Sequence, residues 1–171
     1  MILEIIYYLL PAYFANMTPV FTRKILLRWS TPVDFNFKFL GKPLFGSHKT
    51  WKGLILGIIV AIIVALIQSR FKTGLEIYDY SSPILFGFLM GFGALFGDLV
   101  KSFAKRRIGI KSGAKWIPFD QLDFVIGALI LTWPLNILSS VQITYALLIS
   151  FVLHILVNHS AFYLKIRNEK W

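Results

Sequence analysis

The sequence predicts an all-α integral membrane protein with five transmembrane helices, and three observations lead there. Of its 171 residues, 57% are hydrophobic and 16% aromatic, and mean hydropathy is +0.69. A soluble domain is apolar at only roughly 45–50% of its positions. Five apolar stretches, about 1–21, 51–69, 83–100, 119–138 and 141–164, reach or approach the length that crosses a bilayer. Finally, sixteen of the eighteen Lys/Arg residues fall in two segments between spans and in the last few residues.

Those cations set the expected topology. Arg23, Lys24, Arg28, Lys38, Lys42, Lys49 and Lys52 lie between spans one and two. Lys101, Lys105, Arg106, Arg107, Lys111 and Lys115 lie between spans three and four, and Lys165, Arg167 and Lys170 follow span five. Only Arg70 and Lys72 lie on the other side, diluted by Glu76 and Asp79. The positive-inside rule then places the N-terminus outside, the C-terminus inside and two functional loops, about 22–50 and 101–118, on the cytoplasmic side. The five spans fill the chain as one polytopic domain over 1–171. The first stretch has no basic residues ahead of it and carries Glu4, so it reads as a retained helix rather than a cleaved signal. There is no cysteine, which excludes disulfides and thiolate metal sites.

Span one ends in Ala15-Asn16-Met17-Thr18-Pro19, a polar helix terminus at the inner side. The first inner loop is aromatic and basic, and Pro32, Gly41, Pro43 and Gly46 predict bends and short helical turns within it. It closes with Gly46-Ser47-His48-Lys49-Thr50-Trp51-Lys52-Gly53 directly before span two. Small residues and lysines at a helix N-terminus suit a phosphate, and equally an interfacial anchor. The glycines of spans two and three read as close helix packing. In span five, His154, Asn158 and His159 read as interhelical hydrogen-bond partners rather than metal ligands.

The chemistry concentrates between Phe96 and Gly127, where Asp98, Asp120 and Asp123 flank six basic residues. A charge at membrane depth costs roughly 2.5–3.5 kcal/mol, so each aspartate needs a partner or a role. On a helix continuing from span three, Asp98, Lys101, Ser102 and Lys105 share one face. Asp120 and Asp123 share a face near the start of span four, while Gln121 between them faces elsewhere. Carboxylates beside a dense basic loop fit a divalent metal and a polyphosphate. Ser-His-Asp and Cys-His nucleophile arrangements are missing, and no nucleic-acid-binding module is present.

These motifs, Ala15-Asn16-x-x-Pro19, Gly46-x-x-Lys49-Thr50-x-x-Gly53, Gly97-Asp98-x-x-Lys101-Ser102-x-x-Lys105-Arg106 and Asp120-x-x-Asp123, resemble those of the phosphatidate cytidylyltransferase superfamily. The likeness is to its short archaeal branch, the CDP-archaeol synthases, and covers almost the whole chain. It implies a multi-pass cell-membrane enzyme with its active site on the cytoplasmic side. The reaction implied is transfer of CMP from CTP to 2,3-di-O-geranylgeranylglyceryl phosphate, an isoprenoid ether-lipid phosphate, with Mg²⁺. Asp98, Asp120 and Asp123 are then expected to hold the metal, with Lys101 beside them as a catalytic residue. Lys49, Thr50, Lys52, Lys105, Arg106 and Lys115 are expected on the triphosphate, and Asn16 and Ser102 as further nucleotide contacts. Two rival readings are a CDP-alcohol-type phosphotransferase, whose denser aspartate signature is missing here, and a small ion or solute carrier. In the carrier, the three aspartates would line a path, yet all lie towards one face of the membrane.

Overall fold

A computed structural model describes residues 1–22, 29–112, 114–135, 137–163 and 165. Among the described residues there are five α-helices: α1 (Ile2–Thr22), α2 (Trp51–Arg70), α3 (Pro83–Arg107), α4 (Phe119–Thr132) and α5 (Ser140–Tyr163). Among the described residues, three of them (α2, α3 and α5) are long and apolar enough to cross a membrane. α1 has the length, but Glu4, Asn16, Thr18 and its tyrosines dilute its apolar character.

Two departures from expectation have local causes. α4 stops at Thr132 and gives way to a single 3₁₀ turn, Trp133–Leu135. Pro134 lacks the amide that would continue the ladder. Its 14 residues span about 21 Å, short of the roughly 30 Å hydrocarbon core. The fold is also not purely helical. In the first inner loop, β1 (Lys38–Phe39) pairs antiparallel with β2 (Lys42–Pro43). Leu40 and Gly41, both at positive φ (52° and 74°), turn the chain between them. Two consecutive residues with positive φ match the right-handed twist of a hairpin.

The helices pack through small residues. α1 buries Ile5, Tyr8, Leu9, Ala12 and Ala15 along one stripe, and a Cβ on Gly57 of α2 would meet the Ala15 carbonyl and Leu95 of α3. Ala61 and Ala65 of α2 lie against Gly87 and Gly91 of α3. The closest approach is between α3 and α4. A Cβ on Gly93 would strike the backbone of Gly127 and Ala128, one on Gly97 the Asp123 carbonyl, and one on Gly127 the Gly93 carbonyl. Only glycine allows backbones this near, which is how membrane helices gain contact without a hydrophobic driving force. At the opposite end of the bundle from the basic loops, Phe86 sits fully buried among Tyr8, Tyr78 and Tyr80.

This seam leaves no room for a side chain. Gly97→Val or Gly127→Val is expected to cost about 3 kcal/mol or more by overpacking, seen as a lowered melting temperature in detergent. Ile130→Val, at a position 63% exposed on the outer face of α4, should leave the melting temperature within error.

Candidate active site

As expected, the helix of span three continues past residue 100, and α3 runs to Arg107. Asp98, Lys101, Ser102 and Lys105 therefore rise along one helical face. The Lys101 ammonium is the focus. It lies 3.0 Å from Asp98 Oδ1, 3.1 Å from Asp120 Oδ1 and 2.8 Å from Asp123 Oδ2. These side chains are largely buried, with Lys101 14%, Asp98 16% and Asp123 5% exposed.

Two more lysines complete the cluster. Lys49 reaches across from the first inner loop to pair with Asp98 Oδ2. Lys105 donates to both oxygens of Asp120, at 2.9 and 3.0 Å, and to the Ala114 carbonyl. Asp120 also accepts from the Trp116 amide at 2.6 Å, and Asp123 Oδ1 accepts from the Phe124 amide at 2.8 Å. Three carboxylates thus face three ammonium groups. A buried charge is tolerable only when it is paired in this way.

The structure brings together Asp98, Lys101, Asp120 and Asp123, with Lys49 and Lys105 bound to them rather than standing apart. The other expected contacts surround this centre. Thr50 caps α2, its hydroxyl accepting from the Gly53 amide at 3.2 Å, and Lys52 is buried in the first turn of that helix. Ser102 is buried beside Lys101. Arg106 donates to the Lys111 carbonyl at 3.2 Å, whereas Lys115 is exposed. Asn16 is half-buried on α1, three residues before Pro19, which packs against Gly53 behind the Thr50 cap.

The sequence reading passed over two residues that shape the site. Asp34 is buried, with Oδ2 accepting from the Phe45 and Gly46 amides at 2.9 and 3.3 Å and Oδ1 from Asn36 at 3.0 Å. It folds the loop so that Val33 can bond the Lys49 carbonyl at 2.7 Å and Pro32 can bridge to Thr50. Its signal was there: it is the only acid among the seven cations of that segment. Arg107 donates to the carbonyls of Phe39, Lys42 (3.2 Å) and Pro43 (2.6 Å) and lies 5.4 and 5.1 Å from the Phe39 and Phe103 rings. Lys42 in turn donates to the Arg107 carbonyl at 3.0 Å. The hairpin is thereby clamped to the end of α3. Nothing in the run Lys105-Arg106-Arg107 distinguished Arg107 from its neighbours.

The donor set fits a hard divalent cation in chemistry, because it offers only carboxylate oxygens. Asp123 Oδ2 is buried and meets only the Lys101 ammonium, at 2.8 Å. Among the described residues, however, no group of three or more His, Cys, Asp or Glu is arranged as a metal cage. The Lys101 ammonium stands where the three carboxylates converge.

A helical bundle with a charged centre between two glycine-packed helix ends is the architecture of an intramembrane enzyme. A solved structure described as an intramembrane enzyme for archaeal membrane lipid biosynthesis matches it with a TM-score of 0.79. That match is 31% identical and covers 92% of this chain and 94% of the other. The sequence model of the CarS-like CDP-archaeol synthase family matches residues 1–171. A CDP-archaeol synthase of Pyrococcus abyssi is 38% identical, over 99% of this chain and 98% of the relative. One of Thermococcus onnurineus is 39% identical, over 96% and 94%, and one of Sulfolobus acidocaldarius 35%, over 100% and 98%. The chain belongs to the CDP-archaeol synthase family.

Two outcomes follow from the geometry. Lys101→Met leaves three carboxylates without their common counter-ion, and removing one partner of a buried pair costs about 3–5 kcal/mol. Thermal melting in detergent at neutral pH should show that loss. Arg107→Ala should free the hairpin, read as faster limited tryptic cleavage after Lys38, since the Lys42–Pro43 bond resists trypsin.

Proposed function

We propose that this membrane protein transfers CMP from CTP to 2,3-di-O-geranylgeranylglyceryl phosphate, releasing pyrophosphate and forming CDP-archaeol. The observation that carries this reading is the meeting of Asp98, Asp120 and Asp123 on one ammonium, beside Lys49 and Lys105 at the basic end of the bundle. The name of the relatives, CDP-archaeol synthase, supports this product, and the charge distribution of the site suits the reaction.

A lipid phosphate oxygen attacks the α-phosphorus of CTP, a new P–O bond forms, and the bond to the β-phosphate bridging oxygen breaks. A phosphate monoester with a second pKa near 6 is already mostly dianionic at neutral pH, so no general base is required. What opposes reaction is the approach of two anions. Positioning and charge neutralisation therefore supply the rate enhancement, as in phosphoryl transfer generally. Asp98, Asp120 and Asp123 would hold Mg²⁺, which when bound neutralises phosphate charge and organises the triphosphate. The lysines paired with these carboxylates, Lys101, Lys49 and Lys105, would supply the positive groups that face phosphate oxygens. Arg106 and Lys115 add positive potential at the loop.

The proposed membrane arrangement has all five helices embedded, with the N-terminus outside, the C-terminus inside and the site on the cytoplasmic face. The basic loops support that orientation. The exposed apolar faces of the helices, Ile130 of α4 among them, suit isoprenoid tails that stay in the bilayer while the phosphate reaches the boundary.

Detergent-purified protein given CTP, Mg²⁺ and the ether-lipid phosphate should release pyrophosphate, and EDTA should abolish that release. Asp98→Asn and Asp123→Asn should each lower the rate at least 100-fold, about 2.7 kcal/mol. Rates within threefold of wild type, about 0.7 kcal/mol, would remove these carboxylates from the reaction.

A further inference from the structure

Gln121 is the third residue of α4, between the two aspartates of the site, yet it belongs to a different face. A residue step on a helix turns the side chain by roughly 100°, and Asp120 and Asp123 are directed at Lys101 of α3. Gln121 shares its face with Phe124, Val125, Ala128 and Thr132, all buried. That face lies against α1: the Tyr8 hydroxyl donates to Thr132 Oγ1 at 3.2 Å, and the Tyr13 and Phe124 rings are 5.7 Å apart. The two helices run antiparallel along this seam. Three residues on from Tyr13 is Asn16, and three residues back from Phe124 is Gln121, so the register brings the two carboxamides to one level at the inner end.

Gln121 is only 4% exposed, and its Oε1 is buried without a hydrogen-bond partner. An orphaned acceptor costs about 1–3 kcal/mol, a cost that a donor on a bound substrate would remove. The substrates differ in what they can supply. In the ether-lipid phosphate both remaining glycerol oxygens are alkylated, and the dianionic phosphate only accepts. CTP carries donors on the ribose hydroxyls and on the exocyclic amino group of cytosine. A carboxamide also presents a donor beside its acceptor, as the cytosine edge does in complementary order.

Resting on the cytidylyltransferase reading above, the geometry points to Gln121 as the residue that reads the cytosine of CTP. Oε1 accepts from the exocyclic amino group, and Asn16 completes the polar end of the α1–α4 seam. With the triphosphate on the Asp98, Asp120 and Asp123 side of α4, the base is seated around the helix, one ribose away. Uracil would set its own carbonyl oxygen against Oε1 and would pair only if the carboxamide turned over, so the discrimination rests on Oε1 keeping its orientation in the seam. The seam therefore discriminates by chemistry rather than by size.

The experiment compares kcat/KM for CTP, UTP, dCTP and a CTP analogue whose exocyclic amino group is replaced by hydrogen. Full-length wild type, Gln121→Met and Gln121→Glu are assayed with one lipid phosphate. Wild type should prefer CTP over both UTP and the analogue, and Gln121→Met should lower both preferences about 10- to 100-fold, the range of one good base contact. Its preference between CTP and dCTP should not move. Gln121→Glu, which keeps the acceptor, should retain more of the CTP preference than the methionine variant does. Stabilisation against heat by CTP relative to UTP gives the same comparison without turnover. A CTP-to-UTP ratio in Gln121→Met within threefold of wild type would overturn the assignment, as would a change confined to the dCTP ratio. Failure of wild type to use CTP at all would instead overturn the reaction itself. Should Gln121→Met not fold, the glutamate variant and the amino-lacking analogue on wild type decide: no loss with the analogue sinks the idea.

Discussion

Everything around the site depends on one ammonium group holding three carboxylates at the edge of a membrane. Asp98 comes from α3, and Asp120 and Asp123 come from α4. Left unpaired they would repel one another and oppose the packing of those two helices. Lys101 lies within 3.1 Å of all three. It turns that repulsion into a cross-link. The chain thus supplies its own cation to a group of largely buried carboxylates.

The glycine seam is what lets this charged cluster exist. Gly97 precedes Asp98 in sequence, and its Cα faces the Asp123 carbonyl so closely that no Cβ fits. Backbone contact at that point carries Asp98 and Asp123 to within reach of a single side chain. A bulkier residue would part the helices and, with them, the carboxylates. Packing and electrostatics are therefore one device: the small residues that join the helices also set the spacing of the charges.

The two basic loops are tied to this centre by different bonds. Lys49 crosses from the first loop to Asp98, and Asp34 folds the chain behind it through three backbone amides. Arg107 and Lys42 lock the hairpin to the last turn of α3 through main-chain carbonyls. Contacts to backbone carbonyls carry no sequence signature on the accepting side, which is why Arg107 looked like one more cation in a basic run. The hairpin was unreadable for a related reason. Its strands are two residues each, too short for alternation to show.

Sequence alone determined the membrane character, the family and the identity of the charged residues at the centre. Those follow from apolar length, from motif spacing and from the high cost of an acid beside a bilayer. Helical periodicity also placed Asp98, Lys101, Ser102 and Lys105 on one face, because that relation is internal to one helix. Tertiary structure decided the partners. That Lys101 serves Asp120 and Asp123, that Lys49 serves Asp98, and that Gln121 turns to α1 with an empty acceptor all depend on how α3 and α4 meet. Such distances between elements come from packing of backbone on backbone, and no spacing along the chain encodes them.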